Sequence, residues 1–408
     1  MIIRWLLIAV LAFGMGMLLV RYLTVHPLDM SLYLFLTLAA TVAVILVLAA
    51  LFRSPLRWVA VMLAVVGFLA GYWLMTARFL AREDTRELPH LTRVPGDPGR
   101  GTMAVVYMTH GEPPTYDPIG WINQFREFDE QGIAFVPYLA RPFFAYALRQ
   151  KYLKVGRSDH HSMHERMLRS LERAYRADGD STTRFYLSFL DDDPRPDAAV
   201  IRALNDGASR VVVSEVFLTI SNHTAEGEEL IRNLKIQERF GIPLSFTGPL
   251  WDSEPLKQMF VRRANENLGG IEKSRVGVLL VGHGQPQEWD AEWPTETSQE
   301  IGFRTDVLAR LVADGFRRDL VGLAWMEFRE PKVAPAVEEL GRKGIQRLLY
   351  FSAAISADAI HSQYDTPDLV AGAYLPAAVA RVNLGAWNDD PLVIRAIKEK
   401  IDIAIRQP

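Results

Sequence analysis

The chain contains no cysteine. Disulfides, thiolate metal sites and a cysteine-ligated Fe–S cluster are therefore excluded, and any metal must be met by nitrogen or oxygen donors. Neither a glycine-rich phosphate loop, nor a Gly-x-Ser-x-Gly elbow, nor a His-Glu-x-x-His pair is present, so nucleotide, serine-hydrolase and zincin readings have no foothold. Excess charge of either sign is missing too. With a net charge of −3 there is no polybasic surface to argue for nucleic acid, and none is expected as a partner.

What is present is unevenly spread. Residues up to about Phe79 are almost wholly apolar, and the remainder of the 408 residues has an ordinary soluble composition. Three runs, Ile2–Tyr22, Leu32–Phe52 and Trp58–Phe79, are each long enough to cross a bilayer, which takes about 20 apolar residues as a helix. A signal peptide would have a shorter apolar core followed by a small-residue cleavage site, whereas here two further full-length runs follow the first. The expectation is a multi-pass protein of the cell membrane with the lipid bilayer as a partner. Arginines flank the runs almost evenly: Arg4, Arg53 and Arg57 on one side, and Arg21, Arg78, Arg82 and Arg86 on the other. The positive-inside rule thus gives a near tie. A cytoplasmic soluble region is the reading we adopt.

A charged and Pro/Gly-dense connector follows, from Arg82-Glu-Asp-Thr-Arg-Glu-Leu-Pro to Val94-Pro-Gly-Asp-Pro-Gly-Arg-Gly101. Beyond it the chain repeats. Met103-Ala-Val-Val-Tyr-Met-Thr-His-Gly-Glu-Pro113 and Val276-Gly-Val-Leu-Leu-Val-Gly-His-Gly-Gln-Pro286 are each an apolar run of strand length ending in His-Gly-x-Pro. Further strands are expected at Phe185–Phe189, Arg210–Phe217, Leu320–Trp325 and Gln346–Phe351. Helices are expected at Asp197–Asn205, Thr305–Ala313 and Ala334–Arg342. Strands alternating with helices imply an α/β fold of two pseudo-symmetric, doubly wound halves with parallel sheets. The organisation expected is a membrane domain over 1–80, a linker over 81–101, a first α/β half over 102–270 and a second over 271–408.

In open α/β sheets ligands bind at the carboxyl ends of the strands, where this repeat places a histidine twice. His110 and His283 follow the first strand of each half, and His223 and His361 follow a later one. Neutral imidazole is the commonest metal ligand, so His283 and His361 from two facing loops make an open site for a divalent cation. Asp365, four residues after His361, shares its helix face and joins the candidate ligands. His110 and His223 have the same layout, as a second metal site, as an axial ligand to a bound macrocycle, or as remnants of duplication. His160 and His164 in Ser158-Asp-His-His-Ser-Met-His164 lie one helical turn apart, as a zinc pair would, but without carboxylate or cysteine company at matching spacing they suggest an exposed helix start capped by Ser158 or Asp159. Phe143, Phe144, Tyr146, Tyr152, Trp289 and Trp293 follow the histidine loops as core residues or as walls for a flat apolar ligand. Glu112, Glu288, Asp290 and Glu292 read as solvated loop carboxylates or proton carriers.

From about Met103 to Asp365 the chain resembles the ferrochelatase family, among the tetrapyrrole chelatases. Val281-Gly-His-Gly-Gln-Pro286 is similar to the family's Phe-x-His-Gly-Leu-Pro and carries its active-site histidine onto His283. Lys151-Tyr-Leu-Lys-Val-Gly-Arg-Ser158 resembles Tyr-x-x-Ile-Gly-Gly-x-Ser, Val211–Thr224 resembles the run into the porphyrin-side loop, and Trp325–Pro335 is similar to the Trp-Leu-x-Pro block. Ala357-Asp-Ala-Ile-His-Ser-Gln-Tyr-Asp365 resembles Ser-Asp-His-x-Glu-x-Leu-Tyr-Asp, with the family's glutamate replaced by His361. A His/His pair is instead similar to the small cobalt and sirohydrochlorin chelatases. The resemblance implies insertion of a divalent metal, Fe2+ or Co2+ as substrate, into a bent tetrapyrrole. His283 and His361 would be catalytic, and His110, Tyr152 and His223 would line the macrocycle. A tetrapyrrole- or metal-binding protein without turnover, or a scaffold subunit of a membrane complex, is the alternative.

Overall fold

The computed structural model describes residues 2–51, 56–83, 86–133 and 135–406. Phe52, the last residue of the second expected span, the flanking Arg53, and Asp84 and Thr85 of the connector lie outside the described residues.

Among the described residues, the N-terminal unit consists of five α-helices: α1 (Ile2–Thr24), α2 (Met30–Leu51), α3 (Arg57–Leu80), α4 (Ile119–Glu130) and α5 (Arg141–Val155). This unit takes in Met1–Thr85 and also Thr115–Arg157. The helices α1 to α3 are long and apolar enough to cross a membrane. Their outward faces show Leu38, Leu69 and Trp73 to the surroundings, as lipid-facing helices would. Glycines decide how α1 meets α3. A methyl group at Gly67 would lie 2.6 Å from the Ala9 carbonyl oxygen, and methyls at Gly16 and Gly71 would run into the carbonyl oxygens of Phe68 and Phe13. Gly67-Phe-Leu-Ala-Gly71 is therefore a small-xxx-small contact that brings two helix backbones together without a hydrophobic driving force. The pairing of Ala9 with Gly67 and Phe13 with Gly71 also makes α1 and α3 run in the same direction.

Among the described residues, eight strands and nine helices make up the second unit, Arg86–Pro114 with Ser158–Pro408. β1 (Thr102–Thr109), β2 (Arg184–Phe189), β3 (Ala208–Glu215) and β4 (Leu244–Phe246) form one sheet in the order β2-β1-β3-β4. β5 (Val276–Gly282), β6 (Val321–Trp325), β7 (Arg347–Ser352) and β8 (Ala380–Asn383) form another in the order β6-β5-β7-β8. Every pairing is parallel. The helices are α6 (His160–Ala177), α7 (Pro196–Asn205), α8 (Asn222–Arg232), α9 (Ile236–Phe240) and α10 (Glu254–Glu266). After β5 come α11 (Pro294–Ala313), α12 (Val333–Arg342), α13 (Thr366–Gly372) and α14 (Pro391–Arg406). The α/β class with two parallel sheets is thus observed.

The repeated strands are continuous apolar runs because both of their faces are buried, the usual condition of parallel sheets. Along β1, Val105 and Tyr107 point into one core while Ala104, Val106 and Met108 point into another. Along β5, Val276, Val278 and Leu280 share the core of Val105 and Tyr107, whereas Leu279 and Val281 face a third. The two sheets therefore have one core in common. The terminal helix α14 helps to make it so, contributing Val393, Ile397 and Ile401 from the second half while lying against β3 and α6 of the first.

Candidate functional site

The two inner strands of each sheet end at the four repeated histidines. His110 directly follows β1, and His283 directly follows β5. His223 stands at the start of α8, after β3, and His361 opens a short π-helical turn (His361–Asp365), after β7. Strands β1 and β3 are neighbours, as are β5 and β7, so each sheet brings its two histidines together. The ring centroids are 4.6 Å apart for His110 and His223 and 5.3 Å for His283 and His361.

Local backbone chemistry sets each ring. After both strand histidines the glycine has a positive φ, +114° at Gly111 and +83° at Gly284. A side chain there would also collide, since a Cβ at Gly111 would lie 2.8 Å from the Asp191 amide nitrogen and one at Gly284 2.9 Å from the Glu327 carbonyl. The turn folds each glycine carbonyl back onto its histidine. His283 Nδ1 is 2.8 Å from the Gly284 oxygen, and His110 Nδ1 is 3.0 Å from the Gly111 oxygen. A carbonyl only accepts, so in both rings Nδ1 carries the proton and Nε2 presents a lone pair when the ring is neutral. His361 reaches the same state differently, through Nδ1 donating to Asp365 Oδ2 at 2.8 Å. A carboxylate on the far nitrogen fixes the tautomer and strengthens the imidazole as a base. Asp365 thus sits behind His361.

Glu300 and Glu112 complete the surroundings. Glu300, buried on α11, accepts the His283 amide at 2.8 Å and the Gly284 amide at 3.4 Å, so a carboxylate holds the strand end. Beside it Arg304 donates to the Ala324 carbonyl and lies 3.8 Å above the Trp325 ring. Glu112, from the first-half loop, accepts the amide of Ile360 at 2.9 Å and so reaches the residue before His361. Burial raises its pKa, against the Ser158 and Ile360 bonds and the nearby His361 and His110. It is a partner of the second-half histidine loop and not a solvated carboxylate. Glu288 and Glu292 are exposed, while Asp290 is tied to Arg329, Gln285 and Thr297.

The two second-half rings are pushed apart in basicity. Burial lowers His283, and His361 lowers it further, against Glu327, Glu300 and the Gly284 bond. Burial works against the proton on His361 too, but the Asp365 bond and the charges of Asp365, Glu327 and Glu112 outweigh it and raise the pKa. One ring is thus held neutral and its neighbour accepts a proton readily, the pattern of an acid–base pair. His223 is lowered well below the ordinary value by burial, then by His110 and His283. The influence of His283 on His223 places the two pairs within electrostatic reach of each other.

His160 and His164 differ from the expected exposed helix start: both are buried on α6. The His160 amide is 3.3 Å from Ser158 Oγ, so Ser158 still serves the helix start. His164 is surrounded by hydroxyls, with Tyr107 at 2.8 Å from Nδ1 and Thr109 and Ser356 at 3.3 and 3.2 Å from Nε2. It links β1 of the first half to the loop after β7. Burial pushes it down to about 3, so the imidazole is neutral. Tyr152, Phe143, Phe144 and Tyr146 belong to the N-terminal unit, where the buried Tyr152 ring packs 6.3 Å from Tyr116. Trp289 is buried in its own loop, and the Trp293 carbonyl holds Gln285. Among the described residues no group of three or more His, Asp or Glu side chains is gathered closely enough to hold a metal ion.

No family model and no curated protein matches the chain. Among solved structures it is similar to SirB from Bacillus subtilis with Fe3+, at 14% identity and a TM-score of 0.47, over 75% of this chain and 96% of that one. It is also similar to the sirohydrochlorin chelatase SirB from Bacillus subtilis subspecies spizizenii in complex with cobalt, at 12% identity and a TM-score of 0.45, over 75% of this chain and 97% of that one. A third is DR2241 from Deinococcus radiodurans, a multi-domain protein with structural similarity to chelatases, at 15% identity and a TM-score of 0.47. That match spans 76% of this chain and 56% of the other.

Proposed function

We propose that the chain is a membrane-anchored chelatase that inserts a divalent metal such as Fe2+ or Co2+ into a tetrapyrrole. The observation that carries this reading is the paired state of His283 and His361. Both rings have Nδ1 engaged, so both offer Nε2 to a shared ligand. Two nitrogen ligands hold a cation loosely enough to give it up, since the remaining positions stay open for the four pyrrole nitrogens. Insertion releases two pyrrole protons. As the metal passes to the macrocycle, the vacated Nε2 of His361, made basic by Asp365, Glu327 and Glu112, takes one of them and the second goes to solvent water, while the less basic His283 is the last ring to release the metal. His110 and His223 line the macrocycle from the first half. Asp365 acts on the metal through the His361 ring.

The family resemblance favours a porphyrin and iron, and the His/His pair favours sirohydrochlorin and cobalt. The deciding experiment supplies full-length protein in detergent with metal-free sirohydrochlorin or protoporphyrin and either Fe2+ or Co2+, and records the absorption spectrum. The metallated spectrum should appear at a rate proportional to protein. Binding of the macrocycle with no acceleration of metallation by any pair would leave a binding protein without turnover. His361→Glu restores the residue of the ferrochelatase family and should shift preference towards iron, because carboxylate is the harder ligand.

A further inference from the structure

The N-terminal unit carries an apolar surface that the three long helices do not account for. On α5 the exposed positions Phe143, Ala147 and Lys154 share one face, apolar at its start and cationic at its end. Tyr138 and Leu139 precede it. Phe143 is 53% exposed and Leu139 47%, values like those of Leu69 and Trp73 on the outside of α3, at 53% and 56%. A water-facing helix start has no reason to show this much apolar area beside a bundle already rich in it.

Contacts fix the level of this face along the bundle. The Tyr72 hydroxyl donates to the Leu139 carbonyl at 2.7 Å, and the Phe143 ring stacks on Tyr72 with centroids 6.4 Å apart. Tyr72 precedes the end of α3 at Leu80 by about 12 Å of helix, at about 1.5 Å per residue. Further along α5, Arg149 donates to the carbonyls of Tyr22 and Val25 at the end of α1, at 2.7 and 2.8 Å, and Tyr146 packs on Tyr22. The helix therefore rises from beside the last third of α3 to the end of α1, and then presents Lys154 and Arg157. Arg141, at the apolar start, is buried, paired with Asp129 and set against the Phe125 and Tyr138 rings.

We propose that Tyr138, Leu139 and Phe143 lie in the lipid interface beside α3, so that Thr115–Arg157 is a second, non-spanning membrane attachment. Aromatic rings concentrate at this depth of a bilayer, and lysine and arginine reach out of it to the headgroups. The inference rests on the reading that α1 to α3 cross a membrane, and its occupant is the bilayer they cross.

The absence of cysteine makes the test direct. Single variants Phe143→Cys, Leu139→Cys, Leu38→Cys and Tyr374→Cys of the full chain carry a nitroxide label. They are placed in vesicles of equal parts phosphatidylcholine and phosphatidylglycerol. Collisions with oxygen report lipid, and collisions with a water-soluble nickel chelate report water. The labels at 143 and 139 should be oxygen-rich and nickel-poor, close to Leu38 on α2 and unlike the exposed Tyr374. Nickel access at 143 and 139 equal to that at 374 would overturn the proposal, as would exclusion of both reagents, which means protein covers the face. A water-like signal at 38 would instead overturn the spanning reading itself.

Discussion

The two α/β halves place histidines at matching strand ends and then treat them differently. In the first half the loop reads His110-Gly-Glu-Pro, and His223 is followed four residues later by Gly227. In the second the loop reads His283-Gly-Gln-Pro, and His361 is followed four residues later by Asp365. The carboxylates have exchanged places. A side chain at Gly227 would require the buried Met108 to move, since a Cβ there would lie 2.5 Å from its Sδ. Glu112, the loop carboxylate of the first half, contacts the amide of Ile360 beside His361. Both carboxylates bear on the second-half imidazole, Asp365 directly and Glu112 through the Ile360 amide, while the first half keeps a different carboxylate, Asp191, at 3.2 Å from His110 Nδ1. The scaffold repeats, and on the function proposed above the chemistry depends on where that symmetry is broken.

If the carboxylates make the second half the working one, the largest effects belong to His283→Ala and His361→Ala. Each should reduce tetrapyrrole metallation to the uncatalysed rate in an absorption assay. His110→Ala should leave a measurable rate, and equal loss in all three would erase the distinction between the halves. Asp365→Asn keeps the size of the side chain but removes its charge. Metal affinity should fall by about 10-fold or more, the usual effect of losing the partner behind a ligating histidine, as read by competition with a chromogenic chelator. Glu112→Gln should cost less, because an amide oxygen still accepts from Ile360, whereas Glu112→Ala frees the loop and should cost more than Gln. Equal losses in the two variants would mean that charge, and not anchoring, is what Glu112 supplies.

The smallest effect concerns the seam between the halves. His164 is neutral there, held down to about 3 against an ordinary 6.5. The unfolded chain takes up a proton at this position from about pH 6.5 downward and the folded chain does not. Stability is therefore full above pH 6.5 and falls as pH drops towards 3, by at most about 1.4 kcal/mol per pH unit for this group. His164→Gln should flatten the acid side of a thermal-unfolding profile in detergent and lower stability at pH 8, where the wild-type hydroxyl contacts are intact. An unchanged acid slope would remove His164 from this account.

Much of this was legible in the sequence where burial is two-sided. β1 and β5 are continuous apolar runs, so their ends and the histidines beyond them could be read within a residue or two. The edge strands β4 and β8 could not, because three residues of Leu-Ser-Phe and the largely exposed Ala-Arg-Val-Asn carry no such pattern. The expected helix Thr305–Ala313 begins at Pro294 in the structure, and that missing first part contains Glu300. A glutamate inside a polar helix start gives no sign that it will hold a strand end. Gly67-Phe-Leu-Ala-Gly71 was visible as a motif, and it is the signal from which the α1–α3 contact could have been found. Thr115–Arg157 follows β1 in sequence yet belongs to the N-terminal unit, a partition set by tertiary packing and not by local propensity.

The most direct test of the broken symmetry is a cobalt titration of full-length protein in detergent, comparing wild type with His361→Ala and His223→Ala. These two residues occupy matching places after β7 and β3. The account predicts that His361→Ala loses most of the cobalt affinity while His223→Ala stays near wild type. Equal losses, or a greater loss in His223→Ala, would contradict it.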